Sequence, residues 1–305
     1  MNIAVTGVSG LFGVNAAAQL RQHHLVSGAY HNQPIEMDGA RLAAVDVVDP
    51  LSVATWIRAV QPDLVLHAAG LTNVDGCERN PALARALNCD AAGVVAHAAF
   101  TAGAALVHIS TDHIFDGTSS WYEEDSAPSP VNLYASTKLE GERVVRQAHP
   151  QAYIVRTNFY GWGHRRRQSF SDWVVGALRR GETLTMFNDV FFTPILVNDL
   201  IDTIMDLVAT NVPGVYHVAG GQRLSKYAFA VELADHFGLD RAQIVPVSIE
   251  GFSFKARRPR DMSLATGKVG AAVGRSMPTA AAGIARLARL EREGLAAQLA
   301  GVVKE

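Results

Sequence analysis

The first half of the chain alternates short apolar runs with longer stretches in which apolar residues recur at helical spacing. The short runs, rich in β-branched residues, predict strands at residues 3–6, 25–30, 42–47, 64–68, 105–110 and 153–156. The longer stretches predict helices at residues 14–22, 50–60, 81–102 and 133–147. Strands and helices that alternate in this way predict an α/β fold built on a doubly wound parallel sheet.

After residue 156 the alternation loosens. Helices are predicted near residues 170–180, 199–210, 225–237 and 278–299, separated by loops that contain glycine and proline. We therefore predict a first domain over residues 1–156 and a smaller C-terminal α/β lobe over residues 157–305, with segments near residues 194–218 returning to the first domain. A ligand is expected in the cleft between the two, beyond the carboxyl ends of the strands.

Three glycines follow the first predicted strand directly. In a strand-to-helix turn with this spacing, Gly7 permits the sharp turn, Gly10 lets the backbone approach a pyrophosphate, and Gly13 lets the helix pack closely on the strand. The N–H groups at the start of the helix then face the phosphates. The pattern predicts a dinucleotide-binding Rossmann domain. Further contacts are expected from the same turn, at Ser9, Leu11 and Phe12.

Composition narrows the class of ligand and the location. The 305 residues include 27 Lys and Arg against 29 Asp and Glu, for a net charge of −2. This balance gives no electrostatic basis for binding nucleic acid or an anionic membrane surface. Cys77 and Cys89 lack the spacing of metal ligands, so no metal is predicted. The chain starts with its first strand and has no apolar stretch of membrane-spanning character, so a cytoplasmic location is expected.

Catalytic chemistry is predicted from a threonine, a tyrosine and a lysine. Tyr134 and Lys138 stand four residues apart on a predicted helix, so their side chains leave the same face. Thr111 follows a predicted strand, at the sheet edge where catalytic groups collect in doubly wound folds. Tyr134 can donate a proton to a developing alkoxide, Thr111 can polarise the carbonyl oxygen, and the Lys138 ammonium favours the phenolate form of the tyrosine. The set predicts hydride transfer from a nicotinamide cofactor to a carbonyl carbon.

Together these motifs resemble the extended short-chain dehydrogenase/reductase superfamily. The resemblance is carried by Thr6-Gly-x-x-Gly-x-x-Gly13, His67-Ala-Ala-Gly70, Asn88, Ser110-Thr111-Asp112 and Tyr134-x-x-x-Lys138. Further features resemble the dTDP-4-dehydrorhamnose reductase branch, namely Phe115-Asp116-Gly117, the run from Tyr122 to Tyr134, Arg156-Thr157, Gly214-Val-Tyr-His217 and Arg258-Pro259. The resemblance implies a small sugar-nucleotide lobe beside the Rossmann domain. It also implies NAD(P)H-dependent reduction of a 4-keto-6-deoxy sugar attached to a nucleoside diphosphate.

The same resemblance implies which residues bind each ligand. Besides the glycine turn, cofactor contacts are expected from Tyr30, His31, Asn32, Asp46, Val47, Ala68, Ala69, Gly70, Asn88, Ser110, Tyr134 and Lys138. Substrate contacts are expected from Thr72, Asp112, Phe115, Asn158, Arg165, Phe192 and Arg258.

The end of the second predicted strand indicates which cofactor binds. An NAD site usually places Asp or Glu there for the ribose hydroxyls, whereas Tyr30, His31 and Asn32 include no carboxylate that would repel a 2′-phosphate. NADP is therefore expected, with NAD as the alternative because no arginine stands at this turn either. Asp46, which ends the third predicted strand, is expected either to hydrogen-bond the adenine or to cap the strand.

The chain departs from the family pattern in its substrate lobe. Val190, Phe192 and Ile195 stand where the family usually has Gln, Gly and Thr, so polar sugar or base contacts are lost there. Asn15 stands where some members have an acidic residue associated with a magnesium-bridged dimer, which again predicts no metal. The basic run at residues 164–167 and the arginines at residues 257–260 are candidates to grip a diphosphate, because guanidinium groups match phosphate oxygens. A solvated loop is the alternative for both.

Two other classes of protein stay open. Sugar-nucleotide dehydratases follow the threonine with Asp-Glu, whereas Asp112 is followed here by His113, and no replacement base is found. A non-catalytic, NADP-binding regulatory subunit similar to the β subunit of methionine adenosyltransferase agrees with the altered substrate loop, although it would not require the catalytic set. The helical stretch at residues 279–299 is expected to pack on the second lobe or on a twin subunit, so a homodimer is one candidate state.

Overall fold

The computed structural model describes residues 1–303, and strands and helices alternate through its first half. The strands are β1 (Asn2–Thr6), β2 (Leu25–Tyr30), β3 (Ala40–Ala44), β4 (Leu64–His67), β5 (Ala105–Ile109) and β6 (Tyr153–Arg156). The helices are α1 (Leu11–Leu20), α2 (Pro50–Val60), α3 (Val74–Arg79), α4 (Pro81–Arg85), α5 (Ala91–Thr101) and α6 (Leu133–Ala148). A π-helical turn, Ala86–Asp90, joins α4 to α5, and a 3₁₀ turn, Asp112–Ile114, follows β5.

The second half has shorter strands. They are β7 (Phe159–Tyr160), β8 (Leu184–Phe187), β9 (Phe191–Phe192), β10 (Ile195–Leu196), β11 (Gly214–His217), β12 (Leu224–Ser225) and β13 (Ile244–Val247). The helices are α7 (Phe170–Arg179), α8 (Val197–Ala209), α9 (Lys226–Phe237), α10 (Gly267–Val273), α11 (Ala280–Arg292) and α12 (Leu295–Ala300). None of the helices within residues 1–303 is long and apolar enough to span a membrane.

Seven parallel strands form the central sheet, in the order β11-β6-β5-β4-β1-β2-β3. This order confirms the predicted doubly wound parallel sheet of an α/β fold. The chain reverses direction across the sheet between β1 and β4, and the loops that leave these strands diverge and open a crevice. β11, the last strand of the central sheet in chain order, pairs with β6 at one edge of that sheet. Three two-stranded sheets, β10-β7, β12-β9 and β13-β8, lie outside the central sheet.

Both faces of the sheet are buried. One face packs with α1 in a core that includes Ile3, Val5, Leu64 and Leu66. The opposite face packs with α2 and α5 in a core that includes Ala4, Val65, Leu106 and Ile154. Successive side chains of a strand point to opposite faces, so a strand covered on both sides needs apolar residues at every position. This is why the strands are continuous apolar runs in the sequence.

Two long predicted helices are interrupted. The stretch predicted as a helix at residues 81–102 contains the π-helical turn, and α6 packs so closely on it that a Cβ at Gly141 would overlap the Asn88 carbonyl oxygen. The stretch predicted at residues 278–299 breaks at Gly294, whose φ of 91° is left-handed. The third strand, predicted at residues 42–47, instead spans Ala40–Ala44 and pairs with β2.

Buried histidines couple the fold to pH. His67 and His217 are 1% and 0% exposed. Burial lowers the pKa of each imidazole to about 3, and the nearby cations Lys138 and Arg156 lower the pKa of His67 and His217 further. Because the unfolded chain binds these protons near pH 6.5 and the folded chain does not, the free energy of unfolding falls as the pH drops below 6.5.

We expect each of these histidines to remove up to about 1.4 kcal/mol of stability per pH unit between pH 6.5 and pH 4.5. Urea unfolding at several pH values measures the slope. His217→Gln should reduce the slope of the free energy of unfolding against pH. The control His97→Gln, at an exposed position, should have the same slope as the unaltered protein. Equal slopes for all three proteins would show that the buried imidazoles do not govern acid sensitivity.

Candidate active site

The glycine turn after β1 forms one wall of the crevice. Gly7 has a φ of 68°, and a Cβ there would come within 2.8 Å of the Ala69 backbone. The Gly10 N–H donates to the Gly7 carbonyl at 2.8 Å, and α1 starts at the next residue. A Cβ at Gly13 would lie 2.6 Å from Val8 Cα, so helix and strand pack backbone to backbone. The turn therefore adopts the tight geometry that the sequence predicts for these glycines.

The start of α1 fits a pyrophosphate. Its N-cap, Gly10, makes no side-chain capping hydrogen bond, and the first turn has no acidic residue, so its N–H groups remain available to an anion. A Cβ at Gly10 would meet only the Gly7 carbonyl oxygen within 4 Å, which leaves the outer side of the turn open. Phe12 is 3% exposed and its ring contacts Phe159, so only its backbone faces a ligand.

The loop after β4 forms the opposite wall. The Ala69 N–H donates to Thr6 Oγ1 at 3.3 Å, and that oxygen lies 2.7 Å from His67 Nδ1. Asn88 is 1% exposed; its amide nitrogen donates to the Leu71 carbonyl at 3.1 Å, and its amide oxygen accepts from the Leu71 N–H at 2.8 Å. The Asn88 side chain holds the loop at residues 70–71 in place, and its contact with the cofactor stays a prediction.

Two other predicted cofactor segments lie at the ends of β2 and β3. His31 and Asn32 are exposed after β2, and neither is followed directly by an acidic residue in the sequence. Asp46 lies two residues beyond the end of β3 and its carboxylate accepts from the Val48 N–H at 3.0 Å. Val47 is buried. The exposed carboxylate of Asp46 thus caps its own turn.

The catalytic set predicted from the sequence comes together at the end of β5. Thr111 caps the 3₁₀ turn, and its side chain lies close enough to Tyr134 to lower the pKa of the phenol. Lys138, one turn further along α6, donates to the Ile109 carbonyl at 2.7 Å. The start of α6 is fixed by Asn132, whose side-chain oxygen accepts from the Ala135 N–H at 2.9 Å. The three functional side chains therefore occupy one corner of the crevice, beside the loop after β4.

The protonation of this set differs from the sequence prediction. Burial raises the pKa of Tyr134 to about 12, although its hydrogen bond to Thr111 opposes the rise. Burial lowers the pKa of Lys138 to about 8, and the Glu142 carboxylate opposes that fall. Desolvation of the phenol is the largest cause of the shift in the Tyr134 pKa and outweighs the influences that favour the phenolate. Tyr134 is therefore a protonated donor near neutral pH.

A buried ion pair lies behind the catalytic set. Arg156 Nη2 is 2.8 Å from Glu142 Oε2, and both side chains are less than a tenth exposed. Ser110 donates its hydroxyl proton to the same carboxylate, so that hydroxyl is engaged within the protein. Phe115, expected to contact substrate, is fully buried between the Tyr122 ring, stacked at 4.2 Å, and the Arg156 guanidinium. Phe115 is part of the core under the site, and its contact with substrate stays a prediction.

The remaining predicted substrate residues line the side of the crevice nearer the C-terminal lobe. Asp112 accepts a hydrogen bond from Asn158 at 2.7 Å. Thr72 accepts one from Arg167 Nη2 at 2.6 Å, so this arginine of the basic run reaches across the crevice. The other predicted residues are the exposed Arg165, the buried Phe192, and Arg258, which is paired with Asp75 at 2.9 Å.

Sequence reasoning missed three contacts between the C-terminal lobe and the first domain, at the glycine turn, at α1 and at the loop after β4. His164 Nε2 lies 2.8 Å from the Ser9 carbonyl oxygen. Asn15 donates to the Trp162 carbonyl at 2.8 Å. Arg167 was included in the basic run, but its reach to Thr72 has no signal in the sequence. The residues described contain no group of three or more His, Cys, Asp and Glu side chains arranged to hold a metal ion.

The sheet order, the glycine turn and the threonine, tyrosine and lysine at the end of β5 define an extended short-chain dehydrogenase/reductase fold, as the sequence resemblance predicted. The chain belongs to the RmlD substrate binding domain family, whose family model matches residues 1–292.

Individual relatives agree with this assignment. The probable low-salt glycan biosynthesis reductase of Haloferax volcanii is 34% identical over 281 residues, which cover 90% of this chain and 93% of that protein. The methionine adenosyltransferase 2 subunit beta of Xenopus laevis is 30% identical over 268 residues, covering 81% of this chain and 75% of that protein. The crystal structure of dTDP-4-dehydrorhamnose reductase from Bacillus anthracis in complex with NADP superposes with a TM-score of 0.84 at 27% identity, covering 94% and 98% of the two chains.

The glycine turn supports a matched pair of substitutions. Gly10→Ala places a methyl group 3.1 Å from the Gly7 carbonyl oxygen, on the open side of the turn, so we expect a folded protein whose affinity for NADPH falls by about tenfold or more. Gly13→Ala forces the helix off its strand and should cost roughly 1–3 kcal/mol of stability.

Fluorescence titration with NADPH and urea unfolding separate the two effects. Gly267→Ala, where a Cβ meets nothing within 4 Å, is the control for both measurements. Undiminished NADPH binding by the folded Gly10→Ala protein would show that the turn does not hold the dinucleotide.

Proposed function

We propose that this protein is an NADPH-dependent reductase of a nucleoside-diphosphate 4-keto-6-deoxy sugar. The observation that carries the proposal is the convergence of Thr111, Tyr134 and Lys138 at the end of β5, where Lys138 donates to the Ile109 carbonyl, beside a glycine turn suited to a dinucleotide. The named activity of the Bacillus anthracis relative, dTDP-4-dehydrorhamnose reductase, supports the same reaction class. A cytoplasmic protein of two functional parts, residues 1–156 for the dinucleotide and most of residues 157–305 for the substrate, fits this role.

The proposed reaction uses the protonated tyrosine directly. The bound dinucleotide supplies the hydride that is transferred to the carbonyl carbon. Tyr134 donates its hydroxyl proton to the oxygen on which negative charge develops, and Thr111 donates a hydrogen bond to the same oxygen. Lys138, fixed by the Ile109 carbonyl, places a positive charge behind the tyrosine and stabilises the phenolate that forms as the proton leaves.

The cofactor assignment is NADP, with NAD as the alternative. The exposed turn after β2 presents Tyr30, His31 and Asn32 without a carboxylate, which suits a 2′-phosphate. We propose further contacts from Ser9 and Leu11 in the glycine turn and from Ala68, Ala69 and Gly70 in the loop after β4. The relative from Bacillus anthracis was crystallised with NADP, which supports this choice.

The substrate would lie between the basic run and the catalytic set. Arg165, Arg167 and Arg258 are proposed to face the diphosphate, because guanidinium groups form paired hydrogen bonds with phosphate oxygens. Asp112 and Asn158 would meet the sugar hydroxyls. Thr72 would lie at the junction of diphosphate and sugar.

A regulatory subunit is the second candidate function. It is favoured by the similarity to methionine adenosyltransferase 2 subunit beta and by the apolar residues at Val190, Phe192 and Ile195. In that case the protein would bind NADP without reducing a sugar. A homodimer through α11 and α12 is compatible with either function.

The decisive experiment is NADPH oxidation followed at 340 nm with 4-keto-6-deoxyglucose linked to dTDP, and with its GDP, CDP and UDP counterparts. Turnover of one of these compounds would establish a sugar-nucleotide reductase and identify the nucleoside. Tight NADPH binding without turnover of any of them would contradict the proposal and favour the regulatory candidate.

Tyr134→Phe tests the proton donor. The substitution removes one hydroxyl group and keeps the ring that packs in the apolar cluster with Cys77, so turnover should fall by about 10²- to 10⁴-fold while the affinity for NADPH stays unchanged. Stopped-flow oxidation of bound NADPH gives the rate of the chemical step. A variant with the turnover of the unaltered enzyme would exclude Tyr134 as the acid.

The pKa of Lys138, about 8, predicts the alkaline side of the pH profile. Its ammonium form, which stabilises the phenolate, is lost as the pH rises through 8, so kcat/KM for reduction should fall above that pH. Lys138→Arg keeps its charge over this range, so its profile should stay flat, although at a lower rate. The same decline in Lys138→Arg would assign the titration to a different group.

A further inference from the structure

Lys226 enters the crevice from the C-terminal lobe, beside the segment where the chain departs from its family. It is the first residue of α9, whose cap Ser225 accepts from the Ala228 N–H at 3.0 Å. Its own N–H donates to the Val190 carbonyl at 3.0 Å, and β12 pairs antiparallel with β9 just before it. The main chain therefore holds Lys226 against Val190 and Phe192, two of the apolar replacements.

The ammonium of Lys226 has unused hydrogen-bonding capacity. Nζ lies 3.2 Å from the centre of the Phe192 ring and 5.2 Å from that of Phe170. Burial lowers its pKa to about 8, and the Asp112 carboxylate opposes the fall. Within residues 1–303 this ammonium donates no hydrogen bond to a protein acceptor, and the Asp112 carboxylate accepts from Thr111 and Asn158. Lys226 is half-buried, so an oxygen of a ligand in the crevice can reach its ammonium and accept a hydrogen bond.

Its surroundings place this ammonium near the reacting end of the crevice. The His113 ring meets the Tyr134 ring edge to face at 5.6 Å. Burial lowers the pKa of His113; Asp112 opposes this effect, and the charges of Lys226 and Arg258 add to it. Lys226 therefore lies close enough to His113 to act on it electrostatically, on the side of the crevice that holds Asp112.

The charge balance at this point favours a neutral ligand group. Asp112 already offsets the positive charge of Lys226, and a carboxylate on the ligand would be repelled by Asp112. A hydroxyl oxygen can accept a hydrogen bond from the ammonium without adding charge. Lys226 would therefore donate a strong hydrogen bond to the nearest face of the sugar. The family usually has Gln and Thr in this segment, at the positions of Val190 and Ile195.

We propose that Lys226 is a specificity-determining residue that donates hydrogen bonds to a hydroxyl oxygen of a neutral hexose, within a nucleoside-diphosphate sugar. This role rests on the proposed function. It replaces polar contacts that Val190, Phe192 and Ile195 cannot make.

Calorimetric titration of the NADP-saturated protein tests the role without requiring turnover. Nucleoside diphosphates (dTDP, UDP, GDP and CDP) are compared with the same nucleotides linked to glucose. Lys226→Met keeps an unbranched stem over Phe192 and removes the donors, so affinity for the nucleotide sugar should fall by roughly 10- to 100-fold, while affinity for the nucleoside diphosphate stays unchanged. Lys226→Arg should restore part of the loss.

The control is Lys268→Met. Lys268 also lies over an aromatic ring, with its Nζ 4.7 Å from the centre of the Tyr216 ring. Unlike Lys226, it is exposed, and it donates a hydrogen bond to the Val215 carbonyl in β11. Its variant should bind every ligand as the unaltered protein does. Unchanged NADPH affinity in Lys226→Met shows that the fold is retained.

Three results would overturn the assignment. If Lys226→Met weakens binding of the nucleoside diphosphate and of the nucleotide sugar equally, Lys226 lies at the phosphates. If the substitution weakens neither, Lys226 is not at the sugar site. The same conclusion holds if glucose adds nothing to the affinity of the unaltered protein. Tighter, Lys226-dependent binding of UDP-glucuronate than of UDP-glucose would assign a carboxylate instead. Failure of the proposed function is separate, because it appears as absent NADPH oxidation with every keto sugar whatever the binding results.

Discussion

The burial of charge along one face of α6 is the constraint on which the rest of the site depends. Tyr134, Lys138 and Glu142 recur every four residues and point into the protein together. A buried ammonium and a buried carboxylate need partners, and these come from the Ile109 carbonyl, from Ser110 and from Arg156. Loss of one member of such a pair typically costs about 3–5 kcal/mol. The electrostatic requirement therefore ties the catalytic helix to β5 and β6 more firmly than apolar packing alone would.

The predictable parts of this protein are those that depend on local chain geometry. Gly13 has its role because a Cβ there would collide with the backbone of Gly7 and Val8, in the turn just before it. Tyr134 and Lys138 are paired by helical periodicity, and the continuous apolar strands follow from a sheet covered on both faces. Such features need no knowledge of distant residues, so the sequence alone predicts the central sheet and the core of the catalytic set.

The features that were missed depend on contacts between distant segments. Phe115 belongs to a recognisable motif, yet its ring is buried between Tyr122 and Arg156. Asn88, in the π-helical turn, has its amide bonded to Leu71. The rise in the pKa of Tyr134 has a related reason, because a neighbouring charge can be seen in the sequence whereas the degree of burial cannot.

The contact between His164 and the Ser9 carbonyl connects the two proposed ligand compartments, one for the dinucleotide and one for the substrate. The segment at residues 162–167, which would contact the substrate diphosphate, also contacts the glycine turn that would bind the dinucleotide. Asn15 donates a hydrogen bond to the same segment at the Trp162 carbonyl. Neither compartment can widen without displacing a shared wall. Because both ligands would contact the same wall, binding of either one would change the affinity for the other by the same factor.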